Sequence, residues 1–205
     1  MNGGYETREF KNRVYAGFNV AYANYFDKTG YFYFRLGHDG FGLDKKLEQG
    51  IVTGRFNHFT PLYHYKRFKF RHFIDIDYTK GINRFRDEYL TLNNDYGLYG
   101  FVNDSLRGNE RLNIHFETVS FSPWYFYEFR FVFFASAEFS FFGKKTNIWA
   151  NPIYPGFSIG VRIRNERLVF NTLELRLHLY PNKPEYSRTQ FLRISGEHGT
   201  YNLKL

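Results

Sequence analysis

Residues 127–142, YEFRFVFFASAEFSFF, alternate between two kinds of side chain with a period of two. Tyr127, Phe129, Phe131, Phe133, Ala135, Ala137, Phe139 and Phe141 fall on one face. Glu128, Arg130, Ser136, Glu138 and Ser140 fall on the other, with Val132 and Phe134. Only an extended strand turns successive side chains to opposite faces, so the stretch predicts one strand of 16 residues. Ordinary strands run about 5–6 residues.

The same period recurs. Val14, Ala16, Phe18, Val20 and Tyr22 oppose Gly17, Asn19, Ala21 and Ala23; Phe68, Phe70, Ile74 and Ile76 oppose Lys69, Arg71, Asp75 and Asp77. Leu112, Ile114 and Phe116 oppose Asn113, His115 and Glu117; Phe157, Ile159, Val161 and Ile163 oppose Ser158, Gly160, Arg162 and Arg164. Leu173, Leu175, Leu177 and Leu179 oppose Glu174, Arg176 and His178. The pattern predicts nine strands, at 12–26, 30–39, 48–60, 65–79, 110–121, 127–142, 154–164, 167–180 and 188–198. Turn-forming DKTG, FTPLY, FSPW, RNE and YPNKPE separate them. The expectation is one all-β domain over 1–205, a transmembrane antiparallel barrel or an open half-barrel. Closed bacterial barrels have even strand counts, so either residues 3–10 add a short strand or the sheet is open.

Such strands suit a soluble barrel, with the apolar face inward, or a membrane barrel, with the apolar face on lipid. Three features favour the membrane. Most strands reach the roughly 9–11 residues that a tilted crossing needs. The polar faces mix Arg, Glu, Asp and His with Gly, Ala and Ser, as a crowded polar interior does. Aromatic residues, 22% of the chain, gather near strand ends at Tyr22, Tyr25, Tyr63, Tyr65, Trp124, Tyr125, Tyr127, Trp149, Tyr154 and Tyr180, as an interfacial girdle requires. Phe129, Phe131, Phe133, Ile159, Val161, Leu173, Leu175 and Leu177 are then expected to face lipid. Arg130, Glu138, Arg162, Glu174 and Arg176 are expected on the concave side.

Other chemistry is thin. With no cysteine there is neither a disulfide nor a thiolate metal site. The seven histidines lack metal-ligand spacing with a nearby acid, so no metal or cofactor is expected. Net charge is +8, but the basic residues are scattered, which favours a solvated or lumenal face over nucleic acid. YKRFKFRH interleaves bases with aromatics; as a strand it puts Arg67, Lys69 and Arg71 on one face and Phe68 and Phe70 on the other. His115 and Glu117 share a face and would serve a hydrolase only with a serine from a neighbouring strand, so the chain reads as non-enzymatic. The start, MNGGYETREFKNR, has no apolar core of a signal peptide, so an exported chain would be a mature piece or a fragment.

The long connection at 82–109 carries a loop, and Leu98, Tyr99, Gly100 and Phe101 form its tip. Gly108 and Asn109 follow, and the next strand, NIHFE, ends at Glu117. This order resembles the bacterial surface-antigen (BamA-like) family of outer-membrane barrels, Bacteroidetes-type members in particular. That family folds such a loop into the lumen, with a tip of the form (Val/Leu)-Arg-Gly-(Phe/Tyr). The family's next strand has an inner-face Asp motif, at which Glu138 and Ser140 stand here; a G-x-G-x-R strand follows, for which FSIGVRIR with Arg162 stands. The resemblance covers about 95–198, with five strands after the loop, as in the family's sixteen-strand barrel.

It implies the C-terminal portion of a barrel in the bacterial outer membrane. Lipids would be one partner, and unfolded outer-membrane proteins or an attached passenger others. The implied role is protein insertion, translocation or secretion, with a plain pore or an outer-membrane lipase as rivals. Further strands and periplasmic domains are expected outside this chain. The chain departs from the family at the tip Arg, here Tyr99, and at the wall Asp, here Glu138, so the family's Arg–Asp contact does not carry over. Two substitutes are available: the Tyr99 hydroxyl donating to Glu138, or Arg107 as the cation. Residues 96–108 are expected along the concave face, with Tyr99 and Phe101 near Glu138 and Arg162.

Overall fold

The computed structural model describes residues 1–7, 12–43, 46–85, 87–93, 97–144, 147–165 and 172–197. Its strands are β1 (Asn2–Thr7), β2 (Asn12–Phe26), β3 (Gly30–Leu43), β4 (Lys46–Phe59), β5 (Tyr63–Tyr65), β6 (Phe68–Ile82) and β7 (Phe101–Val102). Then come β8 (Glu110–Phe126), β9 (Phe129–Gly143), β10 (Ile153–Asn165), β11 (Thr172–Leu179), β12 (Arg188–Thr189) and β13 (Leu192–Glu197). The main sheet runs β1-β2-β3-β4-β6-β8-β9-β10-β11-β13, each strand antiparallel to its neighbours, with β5 a side branch on β6. β7 and β12 make a separate two-stranded ribbon. Among the described residues the only helical piece is a 3-10 turn at Ile148–Ala150. Among the described residues the sheet is an open all-β meander with β1 and β13 at its two edges.

Nine strands were expected and ten lie in the main path. The tenth is β1, where a short strand at 3–10 was one of the two ways to resolve an odd count. Residues 65–79 begin late, because Lys66 and Arg67 form the turn between β5 and β6. Residues 188–198 divide: Arg188–Thr189 leaves the main sheet for β7, and only Leu192–Glu197 pairs with β11. Residues 167–171 and 198 lie outside the described residues.

Local chemistry explains the joints. Tyr127 and Glu128, between β8 and β9, both have positive φ, 45° and 65°, the turn geometry that matches the twist of paired strands. Pro123 cannot donate to a ladder, and it falls inside the bulge between Phe121 and Tyr125. Ser122 fills the gap there, its hydroxyl donating to the Phe131 carbonyl at 2.8 Å. Short turns join β2–β3 and β8–β9 at one end of the sheet, and the longer connections 83–109, 144–152 and 180–191 lie at the other.

Register places like with like. Asp75, His115 and Glu138 lie side by side on β6, β8 and β9, and Ile159 pairs with Leu177. The two faces are then buried in inverse order to their polarity. Ile159 is 60% exposed and Leu177 41%, whereas Glu117 and Glu174 are each 3% exposed. Glu138, Arg162, Glu174 and Arg176 share the covered polar face, and Phe133, Ile159, Leu173 and Leu177 the exposed apolar one. Arg130 has the polar-face parity but stands beside the hairpin, exposed, with its guanidinium 5.7 Å from the Tyr125 ring centre. Of the expected girdle, Tyr22, Tyr25, Tyr63, Tyr65, Trp124, Tyr125, Tyr127 and Trp149 are exposed. Tyr154 and Tyr180 are not part of it, because both pack into the core under the loop.

Phe134 lies flat across β10 only because position 160 has no side chain. A Cβ there would stand 2.3 Å from the Leu175 carbonyl oxygen and 2.4 Å from the Phe134 ring. Gly160→Val should therefore cost about 1–3 kcal/mol, the usual penalty of overpacking. Thermal unfolding measures it, and an unchanged midpoint would contradict this packing.

Candidate functional site

The polar face of β8–β11 carries two linked features, a charged cluster and the loop seated beside it. Phe134 is the centre of the cluster. The Arg162 and Arg176 guanidiniums lie 4.3 and 4.5 Å from its ring centre. Arg162 donates from Nη1 to Glu117 Oε1 at 2.9 Å and from Nε to Glu174 Oε2 at 2.7 Å. Arg176 donates from Nε to Glu174 Oε1 at 2.8 Å and approaches Glu117 at 3.7 Å. Two carboxylates thus face two guanidiniums across four strands, with the charges balanced. Buried ions persist only when paired in this way.

The loop is fastened at its neck. Gly81 N–H donates to the Asn109 carbonyl at 2.8 Å, and Asn109 N–H to the Gly143 carbonyl at 2.9 Å. Leu90 and Gly108 exchange backbone bonds of 2.8 and 3.3 Å. Gly108 is needed at this crossing: a Cβ would stand 2.7 Å from the Gly143 carbonyl oxygen and 2.8 Å from the Phe142 ring. Arg111 donates to the Thr91 carbonyl at 2.6 Å.

At the tip, Leu98 and Phe101 are fully buried with Leu92, Phe142 and Tyr154, and Leu90, Leu106 and Tyr180 close the cluster. Tyr99 turns the other way. Its backbone N–H donates to Glu138 Oε2 at 3.0 Å, and its carbonyl accepts from the Tyr180 hydroxyl. Its ring lies 4.8 Å from the Arg176 guanidinium, 4.5 Å from that of Arg193 and 5.5 Å from the His178 ring. Burial, and then the nearby Glu138 carboxylate, push the Tyr180 phenol above its usual pKa. The other oxygen of Glu138 meets His115 Nδ1 at 3.1 Å. Glu138 is therefore the point where loop and wall join.

Of the sequence-derived residues, the structure brings Leu98, Tyr99, Gly100, Phe101 and Glu138 together, and Glu117 with Arg162. Gly108 and Asn109 serve the neck. The substitutes proposed for the family contact differ from what forms. The bond from Tyr99 to Glu138 comes from the backbone N–H, because the ring is drawn towards two guanidiniums. Arg107 lies over Tyr89, 4.2 Å from its ring centre, so the cations at the tip are Arg176 and Arg193. Phe101, expected near Glu138 and Arg162, sits instead in the apolar cluster, its ring 6.2 Å from that of Tyr180. Residue 96 lies outside the described residues.

Sequence reading missed the connection 180–191, which holds the loop from its far side. The buried Asn103 donates from Nδ2 to the Glu185 carbonyl at 3.0 Å and to the Ser187 hydroxyl at 2.8 Å. Its Oδ1 accepts from Ser105 and Leu106 N–H. Gln190 N–H donates to the Gly100 carbonyl at 3.1 Å. One signal was available: an Asn followed by Asp and Ser is a side chain suited to folding a local turn. The serines near His115 are engaged elsewhere: Ser136 bonds Ser158 at 2.6 Å, and Ser140 donates to Asn113 at 2.7 Å. No cluster of three His, Cys, Asp or Glu suited to a metal occurs among the described residues. No family model, curated protein or solved structure matches the chain.

Glu138→Ala removes a carboxylate acceptor worth about 1.5–3 kcal/mol. Hydrogen exchange at residues 97–103 should then quicken roughly ten- to hundredfold. Tyr99→Phe, which retains both the N–H and the ring, should quicken it less. Equal rates in all three proteins would mean that the loop is held elsewhere.

Proposed function

We propose that this chain is a segment of a non-enzymatic outer-membrane β-barrel of the BamA-like surface-antigen type, acting in protein insertion, translocation or secretion. The observation that carries the proposal is the inversion of burial. Val14, Val20, Ile159, Leu179, Leu192 and Ile194 are exposed, while Arg13, Glu117, Glu174 and Arg176 are buried. Water penalises the exposed half of that arrangement: a fully exposed large aliphatic forgoes about 1.5–3 kcal/mol of burial, and among the described residues nothing covers these side chains. Lipid removes the penalty. Short turns at one end and long connections at the other match the usual layout of such barrels. The loop tip on Glu138, with five main-sheet strands after it, supports the narrower kinship.

The loop occupies the polar face, which favours a plugged barrel over an open pore. Catalysis has no support from the engaged serines. The test is reconstitution. The chain should enter lipid vesicles, resist extraction by alkaline carbonate, and speed insertion of an unfolded outer-membrane protein over protein-free vesicles. A chain that stays monomeric in buffer without detergent would sink the membrane assignment. Entry into vesicles with steady ion conductance and no effect on insertion would establish a pore instead.

A further inference from the structure

The stretch YKRFKFRH serves neither the loop nor the ion cluster. It forms the turn between β5 and β6, at the same end of the sheet as the short β2–β3 and β8–β9 turns. From Phe56 to Ile74 the chain has no acidic residue, yet it carries Lys66, Arg67, Lys69 and Arg71. Among the described residues none of these four makes an ion pair, and Arg71 Nε is buried without a hydrogen-bond partner. At the opposite end of the sheet Arg13 pairs with Glu6, Lys80 with Glu110 and Arg84 with Glu88.

Beside the turn, a belt of rings lies on the exposed apolar face. The Phe68 ring centre is 6.3 Å from that of Phe70 and 5.9 Å from that of Trp124, and Trp124 is 5.7 Å from Phe133. Tyr65 and Trp124 are 65% and 58% exposed. Lys66 Nζ stands 5.4 Å from the Tyr65 ring centre, which holds its ammonium against the belt. Aromatic rings settle at the depth of the membrane interface. Cations at that depth attract anionic headgroups, each adding about fivefold to binding. We propose that the β5–β6 turn is a binding site for anionic phospholipid, with Lys66 and Arg67 on the headgroup phosphates and the aromatic belt along the upper acyl chains. The inference rests on the membrane assignment and adds to it the lipid class and the end of the sheet concerned. Short turns face the periplasm in bacterial barrels, so the site lies in the periplasmic leaflet. Single-stranded nucleic acid fits less well: Phe68 and Phe70 point to one face and Lys69 and Arg71 to the other, so bases stacked on the rings do not meet those two cations.

Trp124 lies in the belt, and Trp149, the other tryptophan, lies in the connection 144–152 at the opposite end. A Trp149→Phe chain therefore reports on the belt alone. It is placed in phosphatidylcholine vesicles that carry brominated phosphatidylglycerol or, at the same mole fraction, brominated phosphatidylcholine, and contact with bromine quenches Trp124. The expected result is a relative binding constant about fivefold in favour of phosphatidylglycerol. Lys66→Asn with Arg67→Gln should bring it near one; Asn suits position 66, whose φ is 54°. Salt at 1 M, where the screening length is about 3 Å, should do the same and needs no variant that could misfold. Equal quenching by the two lipids overturns the proposal and leaves the membrane assignment standing. A preference that survives the double variant or the salt also overturns it. Quenching by neither lipid defeats the membrane assignment and the proposal with it. Loss of the preference to inorganic phosphate, or to a single-stranded oligonucleotide, at constant ionic strength makes the turn a site for that anion and overturns the lipid assignment.

Discussion

The pairing of Glu117 and Glu174 with Arg162 and Arg176 is the interaction on which the polar face depends. Each of these four charges, removed from water alone, would cost several kcal/mol. Together they satisfy one another, and Phe134 gives both guanidiniums an aromatic surface to lie on. That arrangement needs four strands, β8 to β11, in register and a bare backbone at Gly160. It also fixes where Arg176 stands, and hence where the Tyr99 ring rests. The Tyr99 ring is thus positioned by an ion cluster whose members come from β8, β10 and β11.

The loop is bound by means that complement one another. Leu98 and Phe101 bury apolar area, which is strong but undirected. The Tyr99 N–H to Glu138 bond and the Asn103 bonds to 185–187 are directional and fix the tip's orientation. Their separation matches the way the tip residues point: Leu98 and Phe101 into the cluster, Tyr99 towards the cations.

Sequence made the strands legible because a period of two over 15 or more residues, as in β2, β6 and β9, has one structural meaning. It showed the faces for the same reason. It failed where one residue type serves two settings. Tyr154 and Tyr180 look like the other strand-end tyrosines, and only tertiary folding draws them under the loop. Glu138 was legible as a polar residue on a regular strand. Its partner was not, since a backbone N–H leaves no trace in side-chain pattern. Arg193 was hidden because β13 is short and its alternation is weak, and Arg107 was a better-looking cation only because it is close in sequence to the tip.

The bond between Asn103 and Ser187 joins residues 84 positions apart, and the bond between Tyr180 and Tyr99 joins residues 81 apart. Contacts so distant along the chain form late, because the intervening segment must be ordered first. Strands β8 to β11 lie between these partners, and they can assemble hairpin by hairpin from neighbouring sequence. The loop therefore reaches its seat only after the wall beneath it is built and the segment leading into the final strand has arrived. During biogenesis there is an interval in which the wall is complete and its polar face is still bare.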